Sequence, residues 1–174
     1  NFEDIRNNQL SHDMELKFLY LRALVEEKSK YVDMFDKGYI GEAVFREQFV
    51  TVSMQIDAIR SNENFEHIRS HTIGGTIERT IIRLIHNITF LSHWKERLQL
   101  NQIARIYERL WALYNGSNHV LECLNHFTEL GIIRAEVLDI VREKYSNWHQ
   151  QTAEQLDKFS EHYPEFISAT QERM

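Results

Sequence analysis

Residues that interrupt helices are rare in this chain. Its 174 residues include six glycines and a single proline, Pro164. Between them, apolar residues recur every three or four positions over long stretches, the spacing of helices that bury one face. Apolar residues make up 43% of the chain, enough to build a buried core. The sequence therefore predicts an all-α protein, an elongated bundle of long antiparallel helices with few loops.

One short pattern occurs twice. In each copy a glycine follows an apolar helical stretch, an isoleucine comes two positions later and a valine six positions later. Glycine readily adopts the left-handed conformation that ends many helices, and the isoleucine can cover the open end of the turn. We therefore expect two helical hairpins flanking a long central helix, related either by duplication or by chance similarity. Their corner residues are Gly38, Ile40 and Val44 in the first and Gly131, Ile133 and Val137 in the second.

Capping residues and spacing predict the first two helices. Ser11, followed by acidic residues, predicts the start of the first helix, with residues 1–10 as a leading strap or a frayed turn. The second helix is expected over residues 41–60, followed by a polar connection. The first helix has apolar residues at a spacing of three or four at Met14, Phe18, Leu21, Val25, Val32 and Phe35.

The second part of the chain is expected to hold the long central helix, from Thr76 to about Tyr114. Asn115-Gly116-Ser117 predicts a break, followed by a short helix that ends at Leu130, a last long helix and a further helix that begins at Pro164. We accordingly divide the chain into residues 1–75, the first hairpin with its connection, and residues 76–174, which together form one structural unit.

An apolar seam follows the first half of the central helix. A helix of about 39 residues is roughly 60 Å long, longer than a compact domain of this size needs. Either the helix breaks near residues 98–102 or the protein is elongated, and we favour an elongated homodimer paired along this seam. The seam consists of Ile77, Ile81, Leu84, Ile88, Leu91 and Leu98.

Charge and cysteine content restrict the partners. The net charge of −6 argues against nucleic acid, and no window approaches the roughly 18 uncharged apolar residues of a membrane span. Cys123 is the single cysteine, so no disulfide within the chain is possible, which fits a cytoplasmic location. We interpret Cys123 as a small buried residue, with a thiol activated by His119 or His126 as the alternative. Because residue 1 is not methionine, we expect the chain to be part of a longer protein.

The histidines do not form a recognisable metal motif. His119, Glu122 and His126 can share one helix face, and His67 and His71 are four residues apart. However, E-x-x-H, the pattern of di-iron bundles, is absent from the sequence, as is H-E-x-x-H.

Other candidates for chemistry are equally isolated. Arg83, His86 and His93 lie in or beside an apolar stretch, and Gly74-Gly75 precedes Thr76 without a phosphate-binding motif. We predict no catalytic residues, no cofactor and no resident metal, and hence a protein that is not an enzyme.

Two stretches resemble a known family. LYLRALVEEKSKYVDMFDKGYIGEAVFREQF (residues 19–49) is similar to the segment after the last membrane helix of bacterial sodium/proton antiporters, where a helix rich in leucine and acidic residues meets a G-x-I-x-x-x-V/Y turn. Residues 100–141, followed by FSEHYPEFISATQERM, resemble the helical cytosolic region of some of these transporters. There a cyclic-nucleotide-binding-like domain can follow the YPE-F element.

The resemblance implies a cytosolic regulatory and dimerisation domain, joined to the membrane-transport domain of the same polypeptide and without catalysis of its own. The residues that coordinate the transported ion lie outside this chain. Two alternatives stay open: a free-standing helical interaction module or secreted effector, and a helical bundle that binds a metal or small ligand.

Overall fold

The computed structural model describes residues 2–61, 96–131 and 133–171. These residues form helices joined by short turns and contain no strand, so the all-α prediction is confirmed. The helices are α1 (Phe2–Asp36), α2 (Glu42–Arg60), α3 (Glu96–Leu130), α4 (Ala135–His162) and α5 (Pro164–Gln171). With 35 residues each, α1 and α3 are roughly 50 Å long at 1.5 Å per residue.

Both hairpins turn at a glycine in the left-handed conformation. Gly38, between α1 and α2, has φ 72°, and Gly131, between α3 and α4, has φ 62°. At the first corner Gly38 N–H donates to the Phe35 carbonyl and Tyr39 N–H to the Met34 carbonyl, both at 2.9 Å, which is the hydrogen-bond pattern of a Schellman stop. Four corner residues are buried, as the repeated pattern requires, namely Ile40, Val44, Ile133 and Val137.

The two hairpins pack on one another through α1. This helix runs antiparallel to α3, since Glu15 contacts Arg134, which lies just beyond the end of α3, while Tyr31 lies beside Gly116 near its middle. The same helix also contacts α4. The main core between the hairpins contains, among others, Leu19, Leu24, Tyr31, Val52, Ile56, Leu124, Val141 and Tyr145.

A second, smaller core holds α5 in place. It lies where the first half of α3 meets the second half of α4, and α5 packs across both. Pro164 is the first residue of α5, which confirms the predicted start. The small core consists of Ile106, Leu110, Leu113 and Phe159, with Tyr107, Tyr163, Phe166 and Ile167 packed around it.

The predicted break at Asn115-Gly116-Ser117 is wrong, because α3 continues through these residues to Leu130. Gly116 lies against the ring of Tyr31, and a Cβ there would be 2.9 Å from the ring and its hydroxyl. Asn115 and Ser117 bond back to carbonyls of the preceding turn at 2.8 and 2.9 Å. Residues that commonly end helices are here used inside one, the glycine for close packing against another helix.

The predicted start at Ser11 is also wrong, since α1 begins at Phe2. The expected helix over residues 76–95 and the division of the chain at residue 75 lie outside the described residues. Both stay predictions.

Candidate functional site

A carboxylate lies in the main core. Glu27, on α1, is 1% exposed. Its Oε1 accepts a hydrogen bond from the Tyr31 hydroxyl at 2.6 Å, and its Oε2 accepts one from the Tyr145 hydroxyl at 2.9 Å. Tyr31 is one turn further along α1, whereas Tyr145 belongs to α4. Both carboxylate oxygens therefore have a donor, and the three side chains tie the first hairpin to the second.

Burial raises the pKa of Glu27 from 4.5 to about 7, and the two tyrosine hydroxyls oppose part of that rise by stabilising the charged form. Burial, together with the adjacent Glu27, raises the pKa of both Tyr31 and Tyr145 well above 10. The tyrosines thus act as hydrogen-bond donors throughout the physiological range. The carboxyl group changes its charge near neutral pH while enclosed between helices.

A row of apolar side chains lies on the outside of α1. Met14 is 65% exposed and Phe18 58% exposed, Val25 is also exposed, and Leu21 between them is half-buried. The successive spacings of four, three and four residues place all of them along one side of the helix. We call this row, Met14, Phe18, Leu21 and Val25, the α1 stripe.

The α1 stripe revises the sequence interpretation of this helix. The spacing predicts one apolar face of α1 that runs from Met14 to Phe35. The structure divides this row, since Leu21 and Phe35 pack against the main core whereas the other three members of the stripe are exposed. The core face consists of Leu16, Leu19, Tyr20, Ala23, Leu24, Tyr31 and Met34. The first helix therefore carries a core face, covered by the second hairpin, and a second apolar row that is exposed at Met14, Phe18 and Val25.

Three metal-ligand side chains meet between α1 and α3. The Nε2 atom of His119 lies 3.5 Å from Glu26 Oε2 and 3.8 Å from Cys123 Sγ. The three donor atoms are within 4.8 Å of one another, and each residue is half-buried. His119 and Cys123 are one turn apart on α3, and Glu26 reaches them from α1, where its carboxylate also pairs with Arg22.

This arrangement is not that of an activated cysteine. In a catalytic triad the acid and the nucleophile contact opposite nitrogens of the imidazole, whereas Glu26 and Cys123 both approach Nε2. Burial and the nearby Glu26 carboxylate raise the pKa of the Cys123 thiol, the opposite of what a nucleophilic thiolate needs. The alternative of a thiol activated by His119 is not supported by this geometry.

A serine–histidine contact elsewhere is structural. Ser117 Oγ lies 3.2 Å from His149 Nδ1, but this hydroxyl is buried and also bonds to the carbonyls of Leu113 and Tyr114. The His149 ring stacks on Tyr114 with centroids 4.3 Å apart. These contacts join the middle of α3 to α4.

The other histidine grouping on α3 is dispersed. Glu122 accepts a hydrogen bond from Asn118, and His126 pairs with Glu129, so neither shares a donor cluster with His119. The side chains of the predicted seam, Ile77 to Leu98, lie outside the described residues, and the seam stays a prediction. The same holds for His67, His71, Gly74, Gly75, Arg83, His86 and His93.

Sequence reasoning missed Glu27 and the partnership of Glu26 with Cys123. Glu27 stands in a row of charged residues, EEKSK, that resembles a solvated face. The one indication of a metal-ligand cluster in the sequence is that His119 and Cys123 are four residues apart, a spacing that places them on the same face of a helix. Nothing local in the sequence indicates that Glu26 faces them.

None of the described helices combines the length and the apolar composition needed to cross a membrane. Comparisons of the chain with protein-family models, curated protein sequences and solved structures give no match.

Proposed function

We propose that this chain is a helical regulatory and association domain of a membrane cation/proton antiporter, and that it pairs with a second copy of itself through the α1 stripe. The exposed stripe is the observation that supports self-association. The antiporter assignment is supported by the resemblance of residues 19–49, 100–141 and 159–174 to the cytosolic regions of such transporters.

The spacing of the stripe favours another helix as its partner. Positions separated by four, three and four residues form the seam along which two helices pack in a coiled coil. A helix that is apolar on two sides buries both in a stable assembly, and within the described residues Met14, Phe18 and Val25 stay exposed on the second side of α1. Covering Phe18 and Met14 removes apolar surface from water, which supplies the driving force.

A second copy is the simplest occupant. In a twofold dimer the same patch is used by both partners, so one apolar row on a long helix can pack against the same row of a second copy.

Matched methionine substitutions test the pairing. Met14, in the stripe, is 65% exposed, and Met54, on α2 outside the stripe, is 67% exposed. We expect light scattering to give a dimer mass for the unchanged chain and for Met54→Glu, and a monomer mass for Met14→Glu and Phe18→Glu. A monomer for the unchanged chain at high concentration contradicts the proposal, as does a dimer that persists in both stripe variants.

The transporter assignment has an independent test. The reading frame that encodes this chain is expected to encode several membrane-spanning helices upstream of it. A complete reading frame without them excludes the antiporter assignment and leaves the free-standing interaction module, whatever the light-scattering result.

A further inference from the structure

We propose that Glu26, His119 and Cys123 form a binding site for a zinc-class divalent cation that joins α1 to α3. The site is separate from the α1 stripe and does not depend on the proposed function. The proposal rests on one observation: a carboxylate oxygen, an imidazole nitrogen and a thiol sulfur from two helices lie within 4.8 Å of one another.

The spacing of the donors is close to that of zinc ligands. Tetrahedral zinc, with bonds of about 2.3 Å to sulfur and about 2.0 Å to nitrogen and oxygen, separates sulfur from nitrogen by about 3.6 Å and nitrogen from oxygen by about 3.3 Å. The observed distances are 3.8 Å from Cys123 Sγ to His119 Nε2 and 3.5 Å from that nitrogen to Glu26 Oε2. Both are within a few tenths of an ångström of the zinc values, and the third separation, between Cys123 Sγ and the Glu26 carboxylate, is within 4.8 Å.

The convergence on one nitrogen is the feature that a cation explains. A single ring N–H cannot donate well to both the carboxylate and the sulfur, whereas a metal ion accepts electron pairs from all three atoms. Thiolate, carboxylate and neutral imidazole carry two negative charges together, which balance a divalent ion. The mixture of sulfur, nitrogen and oxygen donors suits zinc rather than magnesium or calcium, which prefer oxygen alone.

The neighbouring charges orient the site. Arg22 pairs with Oε1 of Glu26, which leaves Oε2 directed at His119. Because each ligand is half-buried, a fourth coordination position remains open to water, as in zinc sites with three protein ligands.

Cobalt titration of the unchanged chain tests the proposal. Cys123 is the single cysteine in the sequence, so a thiolate-to-cobalt charge-transfer band reports this site even if histidines elsewhere bind the ion. We expect one equivalent of Co²⁺ to give this band and Zn²⁺ to abolish it by displacement. Absence of the band at saturating Co²⁺ overturns the proposal.

Three variants and one control locate the site. Cys123→Ser is expected to remove the band. His119→Gln and Glu26→Gln are expected to weaken Co²⁺ binding by roughly tenfold or more, because the loss of an outer-shell partner alone costs about that much. His126→Gln, on the same helix but paired with Glu129, is expected to bind as the unchanged chain does. Unchanged affinity in both His119→Gln and Glu26→Gln overturns the proposal.

A thermal measurement completes the test for any variant whose fold is affected. Because the ion joins two helices of the folded state only, Zn²⁺ is expected to raise the melting temperature of the unchanged chain, the more so at higher concentration. The same rise in His119→Gln contradicts the site.

Discussion

Glu27 is the residue whose environment departs most from that of the isolated side chain. Its pKa rises from 4.5 to about 7 because it is buried. Between these two pH values the folded state holds a proton that the unfolded state has lost, so the free energy of unfolding falls as pH rises. The loss begins near pH 4.5 and is complete above about pH 8. At roughly 1.4 kcal/mol per pKa unit it amounts to about 3 kcal/mol.

Glu27→Gln is expected to flatten this pH dependence. The amide accepts a hydrogen bond from one tyrosine and donates one to the other, and it has no charge to bury. Urea unfolding at pH 5 and pH 8 is expected to show the variant gaining stability relative to the unchanged chain as pH rises. EDTA in all samples removes any contribution from metal at the adjacent Glu26, and the exposed Glu143→Gln serves as control. If the free energy of unfolding changed equally with pH in the unchanged chain and in Glu27→Gln, the raised pKa of Glu27 would be contradicted.

Gly116 gives a second prediction for a single residue. Alanine is preferred to glycine inside a helix by about 1 kcal/mol. Here, however, its Cβ would lie 2.9 Å from the fully buried ring of Tyr31, whose hydroxyl is held by Glu27. Because overpacking a rigid core costs about 1–3 kcal/mol, we expect Gly116→Ala to lower the free energy of unfolding by about 1 kcal/mol. A stability gain in urea unfolding would show that the ring can move aside.

Local sequence places residues on a helix face but does not indicate which residues of another helix they contact. Helical periodicity places His119 and Cys123 on one face of α3, but the identity of the facing residue depends on how α1 is rotated. The same rotation decides that Glu27 is buried while Phe18 is exposed. It is set by the packing of two hairpins, and apolar spacing along α1 alone is compatible with either of its two apolar faces.

At the scale of elements, the hairpin corners were the part most accessible to prediction. Gly38 and Gly131 end their helices as the G-x-I-x-x-x-V pattern indicates, because the backbone hydrogen bonds of each turn join residues that are close in the sequence. The continuity of α3 through Gly116 was not accessible, since it depends on Tyr31 in another helix. A glycine is a stop where its backbone turns left-handed and a packing notch where another helix approaches, and sequence alone does not separate the two.

The cost of the left-handed conformation at Gly38 can be measured with two substitutions, because alanine and asparagine differ in how readily they adopt it. No atom lies within 4 Å of a Cβ added at Gly38, so strain there comes from the backbone alone. We expect Gly38→Ala to cost about 1–2 kcal/mol and Gly38→Asn less, because asparagine visits this conformation more readily. Chemical denaturation of both variants measures the difference. Equal costs would mean that the turn changes conformation.

For the whole molecule, the two cores predict uneven stability. The eight-residue helix α5 packs on the small core around Phe159, whereas α1 and α2 belong to the main core. Phe159→Ala removes a large buried side chain, a change that typically costs about 3–5 kcal/mol. By hydrogen exchange we expect protection to fall in α5 and the adjoining end of α4, with α1 and α2 little affected.

Leu124→Ala, in the main core, provides the matching control and is expected to lower protection in both hairpins. If both variants gave the same exchange pattern, the two cores would unfold as one cooperative unit.

The contact between Tyr31 and Gly116 also limits how the two hairpins can move. Long helices that pack side by side can slide past one another by one turn of about 5.4 Å, as in some allosteric proteins. Such a slide would push the Tyr31 ring onto a residue that has a side chain, break the hydrogen bond from Tyr145 to Glu27 and separate Arg134 from Glu15. These contacts act together as a position stop along the axis of α1. Movement of α1 relative to the second hairpin is therefore restricted along the helix axis, and tilting or rotation would disturb these contacts less.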